Sequence, residues 1–315
     1  MGIFYGLVRP VVRLGLRLPG TDTGVVSLLG EGRMKSRILL LLLSLFLTSV
    51  ARSLAQQNPD PKQANLIAYA HFKALTPAEL NQLLSKAQSG DAEAQYWVGI
   101  LYTEGKVPKN LKEGGRWLLK SAEQGYAPAQ CAYGLMSRLG NPSVGERWML
   151  RAAEQGDTEA QFWLGVAYEQ NWFGTVDIEE AIKWYRKAAE GGDPDAQVEL
   201  GQKYEDGEGV EQDYKLAAEC YRKAAEHVPN LGGAGQGRNR LGLLYMQGLG
   251  VPQDYVQAYF WFSLDGMEGN AADAREHLTP AQIRGVERLI NQWKQQHQPS
   301  PEFAAALHIM EANSR

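Results

Sequence analysis

A block of two predicted helices recurs about five times between Gly90 and Asn270. A period in the mid-thirties restricts such a chain to a stacked solenoid, because one block cannot bury its own apolar faces and must lean on its neighbours. The clearest copies open G-D-A-E-A-Q-Y-W-V-G at 90–99 and G-D-T-E-A-Q-F-W-L-G at 156–165, followed by G-D-P-D-A-Q-V-E-L-G at 192–201. A shorter copy opens G-Y-A-P-A-Q-C-A-Y-G at 125–134, and a degenerate fifth keeps Leu241-Gly242. Aligned on Gly99, Gly134, Gly165, Gly201 and Gly242, the copies step by 35, 31, 36 and 41 residues.

Each copy carries its own punctuation. Six residues after the aligned glycine stands Gly105, Gly140, Asn171, Gly207 or Gly248, residue types that accept the left-handed end of a helix. Next comes Asn110, Asn141, Asp177, Asp213 or Asp254, each able to cap a new helix by accepting from free backbone N–H groups. Each copy thus reads as helix A, a stop, a short loop and helix B. Helix A places apolar or small residues on one face, as with Ala94, Val98, Leu101 and Tyr102. In helix B, Trp117, Trp148, Trp184, Cys220 or Trp261 follows seven residues after the cap, with Gly114, Gly145, Ala181, Ala217 or Ala258 three residues earlier. The expectation is that these large rings fill the gap that the small residues leave between crossing helices.

These motifs resemble the Sel-one-like repeat family, αα-repeat relatives of tetratricopeptide repeats. The resemblance rests on the A-Q-x-x-L-G openings, the G-x-G-V-x-x-D-Y turns at 207–214 and 248–255, and A-I-K-W-Y-R-K-A-A-E at 181–190. It implies an all-α, right-handed αα-superhelical solenoid that serves as a noncatalytic interaction scaffold for a protein partner. The repeats lie near 90–124, 125–155, 156–191, 192–227 and 233–270 within a solenoid spanning 74–298. Three departures stand out: a shortened loop in the second copy, an insertion around Val228–Gly232, and Gly237-Arg238 in place of A-Q in the fifth.

The flanks read as caps and leaders. Thr76-Pro77-Ala78-Glu79 and Thr279-Pro280-Ala281-Gln282 are capping boxes that start closing helices over 76–89 and 279–296. Met34–Ala55 has a basic start, a short apolar run and small residues before Gln56, the pattern of a secretory signal peptide. Export to a bacterial periplasm or the extracellular space follows, with no stable membrane span once that segment is removed. Residues 1–33 read as an upstream extension from a misassigned start, or as a transit-type segment built on Arg9, Arg13 and Arg17. Residues 56–73 read as a polar linker and 299–315 as a loosely ordered tail.

The formal charge is −4; without residues 1–55, 25 basic residues face 34 acidic ones, or −9, which is poor material for binding nucleic acid. Cys131 and Cys220 occupy core positions two repeats apart and read as packed free thiols. The five histidines form no close ligand pair, so no metal is expected. The glycines at 232–237 lack G-K-[ST] and a preceding strand, and read as an insertion loop. No catalytic constellation and no cofactor are expected.

One position varies between copies. Two residues before the aligned glycine stand Trp97, Ala132, Trp163, Glu199 and Arg240. Such scatter is what a partner-facing column would show, with Trp97 and Trp163 as groove anchors. The competing reading packs both rings against neighbouring repeats. Two other functions stay open: a carbohydrate-binding face using both rings, and a cell-wall-directed enzyme like the cysteine-rich β-lactam-binding relatives, whose cysteine pairs this chain lacks.

Overall fold

The computed structural model describes residues 61–104, 108–227 and 232–312. The proposed upstream extension at 1–33 and signal peptide at 34–55 lie outside those residues. Among the described residues every regular element is a helix. Helix α1 spans Pro61–Lys73 and α2 spans Pro77–Gln88. The repeats follow as α3 (Ala92–Glu104) with α4 (Leu111–Glu123), α5 (Ala127–Ser137) with α6 (Pro142–Glu154), and α7 (Thr158–Glu169) with α8 (Ile178–Glu190). Next come α9 (Pro194–Asp206) with α10 (Tyr214–Ala225), and α11 (Ala234–Gln247) with α12 (Tyr255–Leu264). The chain closes with α13 (Glu268–Arg275), α14 (Pro280–Gln296) and α15 (Pro301–Ala312).

The punctuation works as side-chain chemistry. Asn110, Asn141, Asp177, Asp213 and Asp254 each accept a backbone N–H in the first turn of a helix B, which fixes all five starts. Thr76 and Thr279 form complete capping boxes at α2 and α14. Asn171, Gly207 and Gly248 take the left-handed conformation expected of them, with φ of 59°, 70° and 72°. Gly140 does not, because the shortened second loop runs straight from Ser137 into the Asn141 cap.

Two expectations at the ends are corrected. The stretch assigned to a linker is helical from Pro61, because Ala68, Tyr69 and Phe72 of α1 pack onto Trp97 and Ile100 of α3. The tail assigned to loose order forms α15, started by Ser300 Oγ accepting from the Phe303 N–H at 3.1 Å. Helix α15 packs against α1, with Phe303, Ala306 and Ala70 buried. An unexpected helix, α13, also occupies the end of the fifth block and covers α12.

Within each repeat helix A crosses helix B at the aligned glycine, and the residue over that glycine is not the tryptophan singled out from sequence. It is the next residue: Leu118, Met149, Tyr185, Tyr221 or Phe262, all 2% exposed or less. A Cβ on Gly165 would lie 2.5 Å from the Tyr185 ring, and one on Gly201 2.5 Å from the Tyr221 ring, so only glycine allows this approach. The tryptophans sit beside this knob. Trp184 and Trp261 are buried, whereas Trp117 and Trp148 are half-buried. A cation three residues on lies over the ring: Lys120 over Trp117, Arg151 over Trp148 and Lys187 over Trp184, at 4.5, 4.7 and 3.9 Å.

A hydrogen bond ties each repeat to the element before it. Gln95, Gln130, Gln161 and Gln197 are buried and donate Nε2 to the carbonyls of Ala87, Ala122, Ala153 and Ala189 at 3.0–3.2 Å. Each of these carbonyls belongs to the last turn of the preceding helix, where backbone acceptors lack an intrahelical donor. In the fifth repeat Arg238 takes over the task, donating Nε to Ala225 O at 2.9 Å. Its other nitrogens reach His227 O at 2.6 Å and Asp265 Oδ1 at 2.5 Å. The forked guanidinium therefore adds His227 O and Asp265 to the carbonyl that a glutamine would reach alone.

Candidate functional site

Contacts between successive repeats run in part from A helix to A helix. Helices α5 and α7 pack against each other, as do α9 and α11, while successive B helices make no comparable contact among the described elements. The variable column of Trp97, Ala132, Trp163, Glu199 and Arg240 sits on these A helices.

Trp97 does not present a free groove surface. It is 6% exposed, and the Phe72 ring of α1 stacks on it with centroids 3.9 Å apart and an interplanar angle of 19°. The Tyr69 hydroxyl of the same helix donates to the Glu104 carboxylate at the end of α3. Burial pushes Glu104 up to about 7, with Lys109 pulling the other way. The expectation of Trp97 as an open anchor is therefore corrected. The cover comes from α1, the first described helix, in the stretch expected to be a linker.

Trp163 is half-buried under a ring of its own repeat and a cation of the repeat before it. Trp172 stacks on it at 5.9 Å, and the Arg138 guanidinium lies 3.5 Å from the Trp172 ring. Trp163 and Trp97 are thus covered by different groups and do not form a row of open rings.

Glu199 and Arg240 continue the column into a charged region. Burial pushes Glu199 up to about 7; Glu169 adds to this, while Lys203 and Arg240 oppose it. Lys203 is buried between Glu169 and Glu208; burial pulls its pKa down, but hydrogen bonds to both carboxylates outweigh this and raise it. Glu169 also accepts from the Tyr185 hydroxyl at 2.6 Å. Arg240, whose side chain is 40% exposed, lies 3.7 Å from Glu205, which accepts from Tyr221 at 2.5 Å. The column thus changes along the inner face from aromatic to acidic to basic.

The remaining chemistry is poor in reactive groups. Burial raises Cys131 well above the ordinary thiol range and pushes Cys220 up to about 11, so both are protonated at neutral pH. Both thiols are free. Among the described residues no cluster of His, Cys, Asp and Glu could hold a metal ion, and no helix is long and apolar enough to cross a membrane. Gly232 lies against the Asp195 carboxylate, an arrangement that would repel phosphate.

Three participants were missed in the sequence, Tyr69, Phe72 and Lys203, and Arg238 was noted there only as a departure from the repeat. Its role was legible there, since it occupies the glutamine position of the other four copies. Lys203 carried no such signal, because its partners come from a different repeat and from a turn.

The model of the Sel1 repeat matches residues 92–126, 127–157, 158–193, 194–227 and 236–264. Among solved structures, the chain is similar to c5321, a protective antigen of uropathogenic Escherichia coli with an SLR fold, at 29% identity and a TM-score of 0.63. That similarity covers 82% of this chain and 58% of the other. A Sel1 repeat protein from Oxalobacter formigenes is 28% identical with a TM-score of 0.53, over 67% of this chain and 58% of that one. The chain thus spans somewhat over half the length of both solved proteins. No curated protein matches it.

Proposed function

Because the chain belongs to the Sel1 repeat family, whose members generally mediate protein–protein interaction, we propose that it is an exported, noncatalytic adaptor that presents its concave face to a protein partner. The observation that carries this is the column at Trp163, Glu199 and Arg240. These residues share one position on successive A helices, are half-buried rather than fully buried, and differ in chemistry from repeat to repeat. A face of that kind suits a folded or extended polypeptide with varied side chains. It offers no nucleophile paired with a base, and its rings are covered rather than set out as stacking platforms for sugar. The Met34–Ala55 pattern supports export.

Two measurements test the reading. N-terminal sequencing of the exported chain should begin at Gln56; a mature chain retaining Met34 would remove the export part. Affinity capture from the native envelope extract should enrich a protein that a folded Glu199→Ala/Arg240→Ala variant no longer captures. Equal capture by that variant would remove the concave column as the binding face.

A further inference from the structure

Helix α1 has an unusual place in the molecule. It lies over the inner column, where its Ala68, Tyr69 and Phe72 join a cluster with Trp97, Ile100 and Leu118 of the first repeat and Ala132 and Tyr133 of the second. Trp97 and Ala132 are the first two members of the variable column. Its two specific contacts, Phe72 on Trp97 and Tyr69 on Glu104, come from residues three apart on one helical face. The element that packs most extensively on α1 is α15, from the opposite end of the chain, through buried Phe303 and Ala306. Helix α15 itself follows α14 after only a short connection.

We propose that the concave face of the first two repeats is a helix-docking site, that α1 is its displaceable occupant, and that α15 is the latch that holds α1 there. The recognition chemistry is visible in the resident helix: an apolar face bearing a tyrosine and a second ring three residues on, the ring stacking on Trp97 and the hydroxyl donating to Glu104. The latch works by adding apolar burial to a helix that otherwise meets the repeats through a few side chains. The proposal goes beyond the adaptor reading and is tested without any external partner.

The probe is a fluorescent peptide of residues 61–73 added to the full-length chain. A Phe72→Ala/Phe303→Asp variant weakens both the occupant and its latch, so it should bind the peptide about tenfold or more tightly than the unaltered chain, in which the site is filled. Adding Trp97→Ala to that variant should abolish the gain. Equal binding to variant and unaltered chain, or no binding to the variant, overturns the proposal. Hydrogen exchange gives a second measurement that does not depend on the free peptide becoming helical. In Phe303→Asp alone, and in Ala306→Arg alone, the α1 amides should exchange about tenfold or more faster while those of α4 and α6 keep their rates. Unchanged α1 exchange in both variants overturns the latch.

Discussion

The Tyr185 hydroxyl donates to Glu169 at 2.6 Å from a ring packed against Gly165, and Tyr221 repeats this on Glu205 at 2.5 Å with its ring against Gly201. In the fifth repeat the ring is Phe262, which has no hydroxyl, and the residue in the glutamate position is Met246. Donor and acceptor are present together or absent together, which makes them one structural unit. Tyr185→Phe and Tyr221→Phe should each cost about 1.5–3 kcal/mol in urea melts, the range for a hydrogen bond to a charged group. Phe262→Tyr should also destabilise, by about 1–3 kcal/mol, because its new hydroxyl would be buried without an acceptor.

The Arg238–Asp265 pair is nearly fully buried, with side-chain exposures of 0% and 9%. Arg238→Met should cost about 3–5 kcal/mol, since it strands the Asp265 carboxylate in the core. Arg238→Gln/Asp265→Asn should recover about half of that loss, because the glutamine restores the bond to Ala225 and no charge is left unpaired. Chemical denaturation of both variants checks the order.

Glu199 binds its proton more tightly in the folded chain than in the unfolded one, with a pKa raised from 4.5 to about 7 chiefly by burial. The folded state therefore holds the extra proton between those two values, and this contribution to stability falls as pH rises through that window. Glu199→Gln should flatten the decline and make the protein more stable than the parent at pH 8, with little difference at pH 4. A parent whose Glu199→Gln variant shows the same pH slope would contradict the assignment.

Trp184 is 6% exposed, whereas Lys183 beside it points to solvent. Trp184→Ala should cost about 3–5 kcal/mol, as truncation of a buried large ring does. Lys183→Ala should stay within about 0.5 kcal/mol. Equal small effects in urea melts would mean that α8 is packed by its other face.

The helix boundaries of the repeats were readable because their causes are local. Asp177 caps α8 through its own Oδ1, and the acceptor and the N–H lie three residues apart in sequence. The crossing partner of each glycine was harder. Trp184 and Tyr185 are adjacent, about 100° apart on one helix, and both face inward; only the angle between α7 and α8 puts the tyrosine over Gly165. The column position of Trp97 was legible, but its cover was not, because Phe72 arrives from outside the periodic region. Both end helices did carry a local signal: Pro61 and Pro301 stand at first helical positions, and A-A-A-L after Phe303 is strong helix former. What no local signal encodes is that these two helices meet.

Their meeting sets an order of events in time. Among the described residues the other extensive helix packings join elements one or two apart in sequence, so the repeats can form as they are made. The α1–α15 contact closes a loop over almost the whole described chain and must wait until its last helix exists. A growing chain therefore has its first two repeats built while Phe303 has yet to arrive. During that interval α1 lies on Trp97 without the apolar burial that Phe303 and Ala306 add, so a chaperone or an early partner would meet a more loosely held cover than the finished protein presents.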